Sequence, residues 1–221
     1  QAELIMSQHS LPDSLSYLRG NNYSIKALTY QQTLDCDYAI EYFNKAISVY
    51  KKLKNNDISK TNLGIGYLNK AICFLEDEKS DSAKASLIDG DKILKEIQLT
   101  NDISISQEIA WAKYYLQTKD HPKSIDILNK NLEKAKTISQ LGVDMEIYQL
   151  LSKNYLALND IENYNHFSNL YIETQKKFSD AEKKSITHII NKPPGNSENV
   201  TDDSFPQMRH FIIFLLASVL I

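Results

Sequence analysis

Apolar and small side chains recur at three- and four-residue spacing from Tyr23 to Ala46, in two runs separated by a short polar break. The first run carries Tyr23, Ala27 and Tyr30, and the second carries Ala39, Phe43 and Ala46. Each set falls on one face of an α-helix, where a strand would need alternation instead. Leu34, Asp35, Cys36 and Asp37 separate the runs. Small Ala at three of the six positions lets two helices approach closely, and the rings fill the space beside them. The pattern predicts a helical hairpin.

The same pattern returns further along the chain. Shifted by 44 positions, Tyr67, Ala71 and Phe74 fall on Tyr23, Ala27 and Tyr30, and Ala83, Leu87 and Gly90 fall on Ala39, Phe43 and Ala46. Six matching size classes at one offset mark an internal repeat. A third copy places Ala112 and Tyr115 41 positions after Ala71 and Phe74, with Trp111 beside them and Ser124 and Leu128 in the second helix. A fourth places Ser152 and Tyr155 another 40 positions on. Its second helix, Ile161 to Phe178, is rich in rings at Tyr164, Phe167, Tyr171 and Phe178. Turns are expected at Lys119-Asp120-His121-Pro122 and Asn159-Asp160, with Pro122 suited to a first helical turn. Breaks between hairpins are expected at Asn55-Asn56-Asp57, Thr100-Asn101-Asp102 and Leu141-Gly142.

Composition agrees with a helical protein. The 221 residues are 42% apolar, with only 6 Gly and 5 Pro, and no Pro stands between Pro12 and Pro122. So long a stretch without proline favours continuous helices. With 25 Lys plus Arg against 28 Asp plus Glu, the net charge is −3, which argues against a basic nucleic-acid surface. Most of the 13 Tyr fall at repeat-core spacing, so their first role is packing. Lys176, Lys177, Lys183 and Lys184 read as a solvated, charge-mixed helix end.

Candidate chemistry is sparse. His9, His121, His166, His188 and His210 are scattered, with no His-Glu-x-x-His pattern. Cys36, expected in a turn, and Cys73, expected in a helix, are two isolated thiols that match neither a metal site nor a disulfide framework and read as small, semi-buried residues. Gly64-Ile65-Gly66 lacks the strand and the Lys-Ser/Thr of a phosphate loop, and reads as a loosened helix start or a close-packing point. Asp77 with Glu78, and Asp202 with Asp203, sit at turns or in a linker, without the apolar pocket that raises a carboxylate pKa. No enzyme activity, metal or cofactor is expected from these residues.

This arrangement resembles the tetratricopeptide repeat, whose second helix carries an Ala-x3-aromatic-x2-Ala signature, literal here in Ala39, Phe43 and Ala46. The resemblance covers roughly residues 13 to 190. The period of 40 to 44 exceeds the usual one of about 34, the closing Pro is missing, and Lys26 and Lys70 stand where Leu is usual. Longer helices absorb the added residues, and Lys stems can lie along apolar surface. The resemblance implies an all-α, right-handed α-solenoid of about four helix pairs over 13–191, binding a protein or peptide on its concave face. Carried over position by position, that face has Gln31 and Gln32 in the first repeat, Glu76 in the second, Lys113 and Gln117 in the third, and Gln149 and Lys153 in the fourth.

The character of the chain changes after the repeats. Residues 192–208 include Pro193, Pro194, Gly195, Asp202, Asp203 and Pro206, a linker composition. Arg209 and His210 then precede eleven uncharged residues, Phe211 to Ile221. A spanning helix needs about 20 apolar residues, so 209–221 is expected to be the start of a transmembrane helix. At the other end, residues 1–12 have neither a basic nor an apolar signal region and fit a mature N-terminus left by signal cleavage. Repeats, linker and membrane helix together resemble the sensory half of membrane-anchored bacterial transcriptional regulators and sensor histidine kinases. The local resemblance lies in Asn163 to Phe178 and the Ser-Asp-Ala-Glu-Lys-Lys that follows. It implies a single-pass membrane protein with periplasmic repeats, and a DNA-binding or kinase output beyond residue 221. Nucleic-acid binding within this fragment is not expected. The alternatives are a membrane-tethered scaffold for assembling other proteins and a soluble, cytoplasmic peptide receptor.

Overall fold

A computed structural model describes residues 16–33, 35–53, 57–138 and 140–190. The described residues form eight α-helices: α1 Ser16–Gln32, α2 Cys36–Lys52, α3 Asp57–Glu76, α4 Ser80–Leu94, α5 Asn101–Gln117, α6 His121–Ala135, α7 Leu141–Ala157 and α8 Ile161–Ile190. They pair in sequence as the hairpins α1–α2, α3–α4, α5–α6 and α7–α8. The chain divides into two compact units, one reaching Ile138 and one beginning at Ser139. In the first, α3 packs on α1 and α2 of the preceding hairpin, and α5 packs on α3 and α4. The second contains α7 and α8.

The repeat read from side chains is also written in the backbone. The amide N–H of Asp35 donates to Tyr30 O at 3.0 Å, Lys79 to Phe74 O at 2.8 Å, Asp120 to Tyr115 O at 2.8 Å and Asp160 to Tyr155 O at 2.9 Å. The four acceptors are the aromatic residues that end the pattern in each first helix. In the second, third and fourth hairpins the bond closes a Schellman turn, with a left-handed residue one position earlier. Glu78 (φ 57°), Lys119 (φ 65°) and Asn159 (φ 57°) occupy that place. Three of the hairpins then start their second helix on an aspartate. Asp35 accepts from Tyr38 N–H, Asp120 from Lys123 N–H and Asp160 from Asn163 N–H. The cap satisfies a donor that has no partner inside the helix. Lys79 fills this place in the second hairpin and provides no side-chain cap.

The expected packing positions are buried. Ala27, Ala39, Phe43 and Ala46 are fully enclosed in the first hairpin, as are Ala71, Ala83 and Leu87 in the second and Ala112, Ser124 and Leu128 in the third. Their rings lie half-buried around these contacts, and Tyr30 stacks on Tyr38 and Tyr42 with centroids 5.3 and 5.5 Å apart. The Lys26 and Lys70 ammoniums sit over the Tyr42 and Phe74 rings at 4.3 and 5.5 Å. Their stems thus lie along the aromatic surface, and the charge faces a ring. Gly64 and Gly66 are interior to α3, so the close-packing alternative is the one realised. A Cβ on Gly64 would lie 2.5 Å from Leu94, and one on Gly90 would lie 3.3 Å from the Gly64 carbonyl oxygen.

Several boundaries differ from the sequence expectation. Cys36 is the first residue of α2, because the Asp35 cap lets the helix begin immediately. His121 likewise opens α6, with Pro122 in its first turn as expected, and Leu141-Gly142 is the first turn of α7. Helix α8 does not end near Phe178 but continues to Ile190. Lys176, Lys177, Lys183 and Lys184 therefore lie within a helix, exposed on its surface. The expected N-terminal segment 1–12, linker 192–208 and apolar run 209–221 fall outside the described residues. Among the described residues, no helix is long and apolar enough to cross a membrane.

Candidate functional site

The repeat geometry gives the expected binding residues defined places. Gln32, Glu76 and Gln117 are the last residues of α1, α3 and α5, one repeat apart from each other. Gln31 precedes Gln32 by one position and is half-buried. Lys113 lies one turn before Gln117, half-buried. In the second unit, Gln149 is half-buried and Lys153 exposed, one turn apart on α7.

Two of these side chains are committed to holding the first unit together. Gln117 donates from Nε2 to Leu75 O at 2.7 Å and accepts from Ser80 Oγ at 3.3 Å, so it joins the end of α5 to both helices of the preceding hairpin. Glu76 accepts a hydrogen bond from the Cys36 thiol at 2.8 Å. Gln32 and Lys113 also engage neighbours within the chain. The end of α3 is thus a junction, where hairpins one, two and three are tied by side chains that also border the solvent.

At this junction the structure joins two cysteines that the sequence keeps apart. Cys73 lies in the last turn of α3, one turn before Glu76, so both project from the same face. Packing of α2 on α3 brings Cys36 to them. The Cys36 and Cys73 sulfurs and a Glu76 carboxylate oxygen all lie within 4.8 Å of one another. Both cysteines are buried and Glu76 is exposed, so the cluster opens toward solvent on its carboxylate side. Burial pushes both thiols above their usual range, Cys73 to about 12, with the Glu76 hydrogen bond adding to the effect at Cys36. Asp37, Asp77 and Lys79 supply the nearby charges. Sequence reasoning missed this cluster because its partners come from adjacent hairpins, and no Cys-x-x-Cys spacing announces them. The available clue was the equivalence of Glu76 to Gln32, which placed it at a hairpin end.

Other polar groups act within the scaffold. Asp91 on α4 accepts from Gln107 Nε2 at 2.6 Å and from Trp111 Nε1 at 3.0 Å, giving the indole its polar partner. The Tyr50 hydroxyl donates to Asn21 Oδ1 at 2.8 Å and binds α1 to the end of α2. A shallow groove of about 480 Å³ beside α1 and α2 is lined by Arg19, Tyr23, Glu41, Asn44, Lys45, Ser48 and Val49. It is open, and the Glu41–Lys45 ion pair borders it.

The second unit presents a different surface. Leu156, one repeat after Leu116 and two after Leu75, is 52% exposed, whereas Leu75 is 9% exposed beneath the Gln117 contact. Lys153, Leu156 and Ala157 are exposed together on one face of α7, and Leu158 just after it and Ile161 at the start of α8 are exposed too. No family model and no curated protein matches this chain.

Proposed function

We propose that this chain is a non-enzymatic, tetratricopeptide-like module that binds a protein or peptide, and that it serves as the sensory part of a membrane-anchored bacterial regulator. The observation that carries the reading is Leu156. Its counterpart Leu75 is covered by the hairpin that follows, whereas Leu156 stands exposed beside Lys153 on α7. An aliphatic patch with a charged neighbour and exposed Leu158 and Ile161 is the kind of surface a protein partner covers. Within the second unit, the half-buried amide of Gln149 lies one turn from Lys153 and provides a hydrogen-bonding group for a peptide.

The sensory role is supported by α8, which runs unbroken to Ile190. A continuous helix is a stiff lever, so partner binding on α7 would act on α8, the last helix before the sequence read as linker and membrane segment. By the same analogy the repeats are periplasmic, and DNA binding or phosphotransfer belongs to an output segment outside this sequence.

Photo-crosslinking residues introduced at Gln31, Lys113 and Lys153 in the native organism test the binding role. A discrete adduct from position 153 that is lost when Leu156→Glu is added supports it, and the absence of adducts at all three positions overturns it. Membrane fractionation of the full-length protein separates the anchored sensor and scaffold from the soluble receptor.

A further inference from the structure

We propose that Cys36, Cys73 and Glu76 form a binding site for a thiophilic divalent cation of the zinc class, which clips the first hairpin to the second. The donors fit such an ion in type and in number. Thiolate ligands favour zinc over the hard cations magnesium and calcium, which take oxygen, and a carboxylate is a regular third partner. Zinc–sulfur bonds of about 2.3 Å and zinc–oxygen bonds of about 2.0–2.2 Å place tetrahedral donors about 3.5–3.8 Å apart. The three donor atoms already lie within 4.8 Å of one another, so small side-chain rotations bring them onto one ion.

The helices supply the remaining requirements. Cys73 and Glu76 are held by consecutive turns of α3, and Cys36 is held at the start of α2 by the Asp35 cap. Both sulfurs are buried, which shields them from bulk water, and the exposed Glu76 side provides an entry path and a fourth position for water. Asp37 and Asp77 add negative charge around the site, and the Lys79 ammonium pairs with Asp77. Each thiol gives up its proton on coordination, and the two protons leave to solvent while the cation takes their place. No electron transfer is involved. The site joins residues 37 and 40 positions apart, so occupancy stiffens the contact between successive repeats.

Cobalt(II) is a suitable probe, because its tetrahedral thiolate complexes absorb strongly and zinc displaces it. The full chain, fully reduced, is titrated with cobalt(II) alone and then with zinc. The expected result is one tetrahedral site with thiolate charge-transfer absorption, removed by zinc. Cys73→Ser is expected to abolish that absorption. Glu76→Gln, a change at an exposed position that keeps the helical circular dichroism, is expected to weaken binding more than the roughly tenfold typical of losing an outer partner. Absence of thiolate absorption in the folded wild-type chain overturns the proposal. So does absorption that survives in the Cys36→Ser, Cys73→Ser double variant. Isolation of the pair as a disulfide whose reduced form takes up no cobalt overturns it as well, and makes the cysteines a redox couple instead.

Discussion

The hairpins α1–α2 and α3–α4 share one register and fill it differently. In the first, Phe43 occupies the centre and Ala46 the closing position, with the rings of Tyr23, Tyr30 and Tyr42 packed around them. In the second, Leu87 and Gly90 take these places, and the backbone of Gly64 approaches until a Cβ on Gly90 would lie 3.3 Å from its carbonyl oxygen. One hairpin fills its interface with aromatic volume, and the other closes it by bringing helices together. Close packing demands only that the volume be filled, so either solution preserves the repeat. The period therefore survives wide changes in residue type.

The largest expected effect comes from emptying the aromatic solution. Phe43→Ala should cost about 3–5 kcal/mol, read from a urea midpoint, because it removes a fully buried ring from contacts that cannot collapse onto the gap. Gly90→Ala attacks the close-approach solution and should cost about 1–3 kcal/mol through overpacking against Gly64 and Leu68. If Gly90→Ala were as neutral as a surface change, the contrast between the two hairpins would fail.

The third hairpin sharpens the comparison at the same closing position. There Asn131, one repeat after Gly90, is 0% exposed, and among the described residues its amide oxygen and nitrogen have no hydrogen-bond partner. Asn131→Ala restores the residue found at position 46. It should leave stability unchanged or raise it by about 1 kcal/mol, since it removes a buried polar group without a protein partner. A large loss on thermal unfolding would show that the amide is essential to the packing.

Smaller effects concern the turns. Asp35 caps α2, whereas Lys79 at the equivalent place leaves α4 without a side-chain cap. Lys79→Asn should stabilise by about 0.5–1 kcal/mol, a gain reduced by loss of the half-exposed Lys79–Asp77 pair and of the attraction to Asp37. Asp35→Ala in the first hairpin should lose about 1 kcal/mol, so the two variants should move the urea midpoint in opposite directions. The smallest change is expected for Glu41→Gln, which breaks the exposed Glu41–Lys45 pair at a cost below about 0.5 kcal/mol.

Much of the fold was legible because its signals are local. Tyr23, Ala27 and Tyr30 declare a helical face by spacing alone, and Asp35, Asp120 and Asp160 mark helix starts through short-range hydrogen bonds. Boundaries were less legible where a glycine read as a break lies in a first helical turn, as at Leu141-Gly142, because breakers and first-turn residues overlap in type. The candidate binding residues came from repeat position alone, and position does not show contacts between hairpins. The Gln117 amide, placed on the concave face by that reading, bonds Leu75 and Ser80.

By itself, the sequence determined the all-helical character, the hairpin period and the repeated small and apolar positions at each hairpin's centre, since helix periodicity and capping act over a few residues. Only the tertiary structure decided which of the polar positions meet. Cys36 reaches Cys73 and Glu76 because α2 lies on α3, and Leu156 differs from Leu75 because neighbouring helices cover one and not the other. Those outcomes depend on distances between elements some 40 residues apart, which spacing along the chain does not encode.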